Sequence, residues 1–173
     1  MDIAQVEAIV TKIANGIEES TAKCMAENAG LIADLVREQI YAGKDGKGEF
    51  LSPTYDSDPY FDQPGPWYHR AAAYKAWKAE ITPPMAGITM GLAPRPLEVP
   101  NLFITGVFHD SIKTTAKGDG VEVTTSGFRD GPIIESKYGS EIFMLGDEAR
   151  EYFVVFKLKD WLKNFYRECG YEL

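Results

Sequence analysis

The chain has 173 residues, 45% of them apolar and 25% charged, with nine Phe, nine Tyr and three Trp as core material. These are ordinary globular values and exclude wholesale disorder. No run approaches the roughly 18 to 20 apolar residues needed to cross a bilayer, so a soluble single domain is expected. The net charge of −8 argues against wrapping nucleic acid, which draws on clustered cations. It divides as −4, −2 and −2 over residues 1–50, 51–110 and 111–173, so the acidity is spread along the chain. The N-terminus carries no basic patch before an apolar segment, and no secretory signal is expected. Two cysteines far apart, Cys24 and Cys169, read as buried thiols of a reducing compartment rather than as a bridge.

From Ile3 the apolar positions run Val6, Val10, Ile13, Ile17, Cys24, Leu31 and Leu35, a spacing that places them along one helical stripe. The spacing predicts a helical region over residues 1–40, either two shorter helices or, the favoured reading, one long helix with a weak point near Gly30 that at roughly 57 Å suggests packing against a neighbour. A polar loop over 41–65 follows. Its Gly43, Gly46 and Gly48 supply an exposed turn, and Glu49 after Gly48 fails the closing Gly-Lys-Ser/Thr of a phosphate loop.

Nine of the ten prolines lie between Pro53 and Pro100, which leaves no room there for a regular sheet. Within that stretch Trp67, Ala71, Tyr74, Lys78 and Ile81 keep a helical period over 66–82, opened by Gly65-Pro66 and closed by Pro83-Pro84. Residues 83–100 read as an extended proline-rich arm. Over 101–145 the alternating runs 111–116 and 121–126 around Lys117-Gly118-Asp119-Gly120 predict a β-hairpin. Ile112, Thr114 and Ala116 share one face of it, matched by Val121, Val123 and Thr125, and a third short strand is expected near Pro132 to Glu135. A C-terminal helix spans 146–169, acidic at its start and basic toward its end, although a strand could claim Phe153-Val154-Val155-Phe156. The fold class is therefore α+β.

Candidate chemistry is sparse. Asp56, Asp58 and Asp62 with His69 could serve a metal-dependent hydrolase, but the run lacks the turn glycine and distal Glu of a calcium loop and is interrupted by Pro59. A solvated acidic loop is the favoured reading. His109-Asp110-Ser111 is adjacent in sequence, yet alternating strand positions cannot form a relay, and His109 reads as a partly buried or capping residue. Trp67-Tyr68, Tyr74, Trp77 and the Trp161 to Tyr166 group read as core packing in preference to a stacking platform for bases. No catalytic, cofactor or metal site is assigned.

Three phrases stand in order: Leu51-Ser52-Pro53-Thr54-Tyr55, Tyr74-Lys75-Ala76-Trp77-Lys78, and Phe103-Ile104-Thr105-Gly106-Val107-Phe108-His109-Asp110-Ser111-Ile112 leading into the hairpin. Over residues 30 to 150 this order resembles the tailed-bacteriophage tail-completion and head–tail connector proteins, departing at Glu141-Ile142-Phe143, where that family has Arg-Pro-Phe. The resemblance implies a non-enzymatic virion subunit, assembled in the host cytoplasm. Many copies would form a ring at the head–tail junction or tail end, against portal, neck or tail proteins, with genomic DNA passing through without sequence-specific contact. The surfaces expected between copies are the N-terminal stripe at Ile3, Val10 and Ile17 and the arm at Met85, Met90, Leu92, Arg95 and Leu97. An adaptor domain with a different partner shares the same physics.

Overall fold

Asn28 divides the N-terminal helical region in two. A computed structural model describes residues 2–171, and in it α1 (Ile3–Glu27) and α2 (Ala29–Tyr41) replace the single long helix. Asn28 donates its side-chain amide to the Cys24 carbonyl at 2.9 Å and leaves helical geometry at φ −107°, ψ 21°. Short polar side chains that bond their own backbone compete with helix propagation in this way. The break therefore falls on Asn28, two residues before the glycine suspected of causing it. Asp2 and Gln5 start α1 with a reciprocal capping box.

α2 is the centre of the protein. Ile32 and Leu35 enter one apolar cluster with Cys24, Ala149 and Phe153. Val36 and Ile40 enter a second with Leu51, Val99, Phe108, Ile112 and Ile142. The i, i+3 and i+4 spacing lets one helix serve both clusters. Between them lies buried Gln39, whose side-chain amide donates to the Met144 carbonyl at 2.9 Å and accepts from Gly146 N–H at 2.8 Å. That pairing satisfies the chain entering the last helix.

The hairpin forms as its sequence indicates: β1 (Ile112–Lys117) pairs antiparallel with β2 (Gly120–Thr125), Ile112 opposite Thr125 and Ala116 opposite Val121. Gly118 takes the left-handed conformation of the two-residue turn, φ +61°. Val123 packs toward both clusters. Where a third strand is expected, the chain makes a helix, α5 (Gly131–Tyr138), so the sheet has two strands. Pro132 presets the first helical turn, and Ile134 and Tyr138, four apart, turn inward together.

α3 (Ala71–Ile81) begins later than Gly65-Pro66 indicates. His69 sits at φ +52°, outside the helical region, and its N–H is drawn to the Phe61 carbonyl at 2.8 Å, so residues 65–69 make turns. His109, Asp110 and Ser111 lie on the short helix α4 (Val107–Ser111), not on a strand. The C-terminal segment runs helically from α6 (Asp147–Phe153) through a π-helical turn (Val154–Leu158) into α7 (Lys159–Glu168). Of the aromatic and valine run with strand character, Phe153 closes α6 and Val154, Val155 and Phe156 lie in that π turn. The glycine loop after α2 also departs from expectation. Gly43 and Gly46 are buried, and a side chain on Gly46 would collide with Met144 and its backbone.

Candidate interaction surface

α1 and the last helix run antiparallel. Phe165 packs on Gly16, Trp161 donates to Ser20, and Ile9 lies beside Gly170. α7 ends at Glu168, and among the described residues only Gly170 and Tyr171 continue along the first turns of α1. Ile3 is 87% exposed, and Val6 and Val10 are exposed on the same stripe. Val6, Ile9, Val10 and Ile13 form one wall of an open groove of about 640 Å³, with Tyr166 and Tyr171 on the other side. Among the described residues, the apolar period of α1 therefore outruns the partner that α7 supplies.

The proline-rich arm is clipped to the body in its middle and exposed at its bends. Glu38 accepts from Thr89 N–H at 3.0 Å and Met90 N–H at 3.0 Å. Arg95, 3% exposed, donates to the carbonyls of Thr82 at 2.9 Å and Val99 at 2.8 Å. Two residues expected between copies, Leu92 and Arg95, are therefore internal to one protomer. Arg95 closes the arm onto the end of α3, and Leu92 follows the chain inward. Met90 is half-buried against the Cys24 cluster, and Ile17 is half-buried as well. Ile3, Val10, Met85 and Leu97 are exposed, joined by Ile88 at 95%. Ile88 carries no period that marks it, being a lone aliphatic residue between Gly87 and Thr89.

The whole chain exposes 10291 Å². A monomer of 19.2 kDa folded to typical compactness exposes roughly 8,400 Å², so the excess is roughly 1,900 Å². That is the size of a standard protein–protein interface, about 1,200 to 2,000 Å² in total.

Two of the acidic loop's three carboxylates are paired with lysines. Asp56 is bound through both oxygens by Lys75 at 2.8 Å, Asp58 pairs with Lys137, and Asp62 lies 3.9 Å from His69. Among the described residues no group of three or more His, Cys, Asp and Glu side chains converges as metal ligands would. His109 is fully buried, and its Nε2–H donates to the Asn101 carbonyl at 2.9 Å. Burial, and after it the charges of Arg37 and Lys78, lower its pKa to about 4. Ser111 bonds the Phe108 carbonyl at 2.6 Å while Asp110 faces outward, so the three make no relay. Both cysteines are free and buried. Burial, followed by the Glu27 charge, pushes the Cys24 thiol up. No described helix is long and apolar enough to cross a membrane.

One buried group is legible in retrospect. Lys78 shares the apolar period of α3 with Ala71 and Tyr74 and is 1% exposed. It donates to Asn101 Oδ1 at 2.9 Å and to the Phe103 carbonyl, with no carboxylate partner. Around it Tyr74 packs edge-on against Tyr55, Phe61 and Trp67, with ring centroids 5.0 to 5.3 Å apart. Comparison of the chain with protein-family models, with curated proteins and with solved structures gives no match.

Proposed function

We propose that this protein is a structural subunit that assembles with copies of itself into a ring at the head–tail junction or tail end of a tailed-phage virion. The observation that carries the reading is the projecting start of α1, where Ile3, Val6 and Val10 stand in solvent beyond the end of α7. Burying three such side chains contributes roughly 5 kcal/mol. Association costs about 4 to 15 kcal/mol in lost freedom, so the rod alone gives a marginal contact. Met85, Ile88 and Leu97 on the arm roughly double the apolar contribution. Joining rod to arm between successive copies is a heterologous contact, and heterologous contacts close into rings when the rotation divides the circle.

The order of sequence phrases shared with tail-completion and connector proteins supplies the location, and the acidity spread along the chain suits a wall past which DNA slides without sticking. The subunit acts by shape and adhesion, with portal, neck or tail proteins as its neighbours. Electron microscopy of virions carrying a C-terminal label on this protein tests the location. Label confined to the neck or tail end is expected, and particles that never contain the protein would refute the assignment.

A further inference from the structure

A second feature of the molecule is independent of the ring. Between α3, the segment 100–108 and α5 lies an open cleft of about 590 Å³, within the usual range of small-ligand sites. Its walls are apolar and aromatic, including Trp67, Trp77, Phe103 and Tyr138, and Lys78 is the cation that reaches it from the buried side. The other lysine of the lining, Lys137, is already paired with Asp58.

Behind Lys78 the polar groups are mismatched. An ammonium has three protons, and Lys78 finds two acceptors. Asn101, fully buried, has a side-chain Nδ2 with no acceptor, and the Nε–H of buried Arg95 has none. Two of the three unpaired buried side-chain polar atoms among the described residues thus belong to one neighbourhood, with two cations and no anion bonded to either. Unpaired buried donors each cost about 1 to 3 kcal/mol; Asn101 and Arg95 lie behind the cleft, and Lys78, with its third proton unmatched, is the member of the group that lines it.

We propose that this cleft binds a compact apolar carboxylate, its hydrocarbon or aromatic body against Trp77 and Phe103 and its carboxylate drawn to Lys78. A single negative charge fits better than a phosphate dianion, because one ammonium with a single unmatched proton in apolar walls offers little to offset the loss of a dianion's hydration. A carboxylate free in solution and one carried beside an apolar side chain on a protein segment present the same recognition chemistry.

Trp67 and Trp77 line the cleft while Trp161 lies on the far helix pair, so tryptophan fluorescence and calorimetry can follow binding on the intact chain. The probes are 3-phenylpropionate, its neutral counterpart 3-phenylpropanamide, and acetyl-Phe-Asp-amide. The carboxylate is expected to bind about tenfold more tightly than the amide, the difference between charged and neutral hydrogen bonding. Lys78→Met, checked for folding by circular dichroism, should abolish that preference. Tighter binding of the peptide assigns the site to a protein segment, and tighter binding of 3-phenylpropionate assigns it to a free metabolite. Absence of binding at millimolar probe, or equal affinity for carboxylate and amide, overturns the proposal and leaves the donors hydrated. The carboxylate-to-amide comparison on the unmodified protein stands even if the Lys78 variant does not fold.

Discussion

Trp161 donates its indole N–H to Ser20 Oγ at 2.9 Å, joining α7 to the middle of α1 across 141 residues of chain. One turn away, Phe165 lies against Gly16, close enough that a Cβ there would sit 3.1 Å from the ring. These two contacts place the base of the rod and leave its tip free.

Ser20→Ala removes the acceptor and strands a half-buried indole N–H. Urea unfolding should report a loss of about 1 kcal/mol. Gly16→Leu has no room against Phe165 and should cost about 1 to 3 kcal/mol. An unchanged midpoint for both would mean that the two helices do not pack as described.

The pH dependence in acid should be set by His109. Its folded pKa, lowered to about 4, lies below the unfolded value of about 6.5, so the unfolded chain binds the proton first. Stability from this group is complete above about pH 6.5 and is lost as pH falls toward 4, on the order of 3 kcal/mol at full extent. His109→Gln keeps a donor for the Asn101 carbonyl and should flatten that segment of the stability profile. A profile for this variant that overlays the native one removes His109 as the cause.

The slope of stability against pH should reverse sign once in the alkaline range. Burial, and then the charge of Arg95, lowers Lys78 to about 8, so the folded state releases this proton before the unfolded chain does and stability rises from pH 8 toward 10. Above about pH 10 the buried tyrosines take over, since burial pushes Tyr74 up to about 12 and Tyr55 and Tyr138 higher still. The unfolded chain then ionises first and stability falls. Denaturation midpoints across this range should pass through a maximum that Lys78→Met lacks.

The arm should loosen without unfolding when Glu38 is replaced. Its carboxylate is the acceptor for Thr89 and Met90 N–H, so in Glu38→Ala the amide exchange of those two residues is expected to rise about tenfold or more. Protection unchanged from the native protein would show that the prolines alone hold the arm.

Much of the architecture was legible because local signals agreed with the tertiary outcome. The hairpin register follows from alternation around Gly118-Asp119, and the C-terminal helix from its charge gradient. At Pro132 to Glu135 the β-branched residues outweighed the helix-start signal of Pro132, and the i, i+4 pairing of Ile134 with Tyr138 emerges only against the core. Gly30 attracted the break that Asn28 makes through a side-chain bond. In the arm, Leu92 is buried and Arg95 is held inside by bonds to Val99 and to Thr82, the latter thirteen residues away and outside any short window. The buried Lys78 was present in the period of α3, but its orphaned neighbours were not.

The central claim is that one copy leaves apolar surface that another copy covers. Light scattering on the purified chain, beside a Val6→Glu, Val10→Glu double variant, tests it most directly, because both positions face solvent in one protomer and the fold should survive. The account predicts a closed oligomer of discrete mass for the native chain and a folded monomer for the variant. A native chain that stays monomeric at every concentration, alone and with virion neck components, would contradict it.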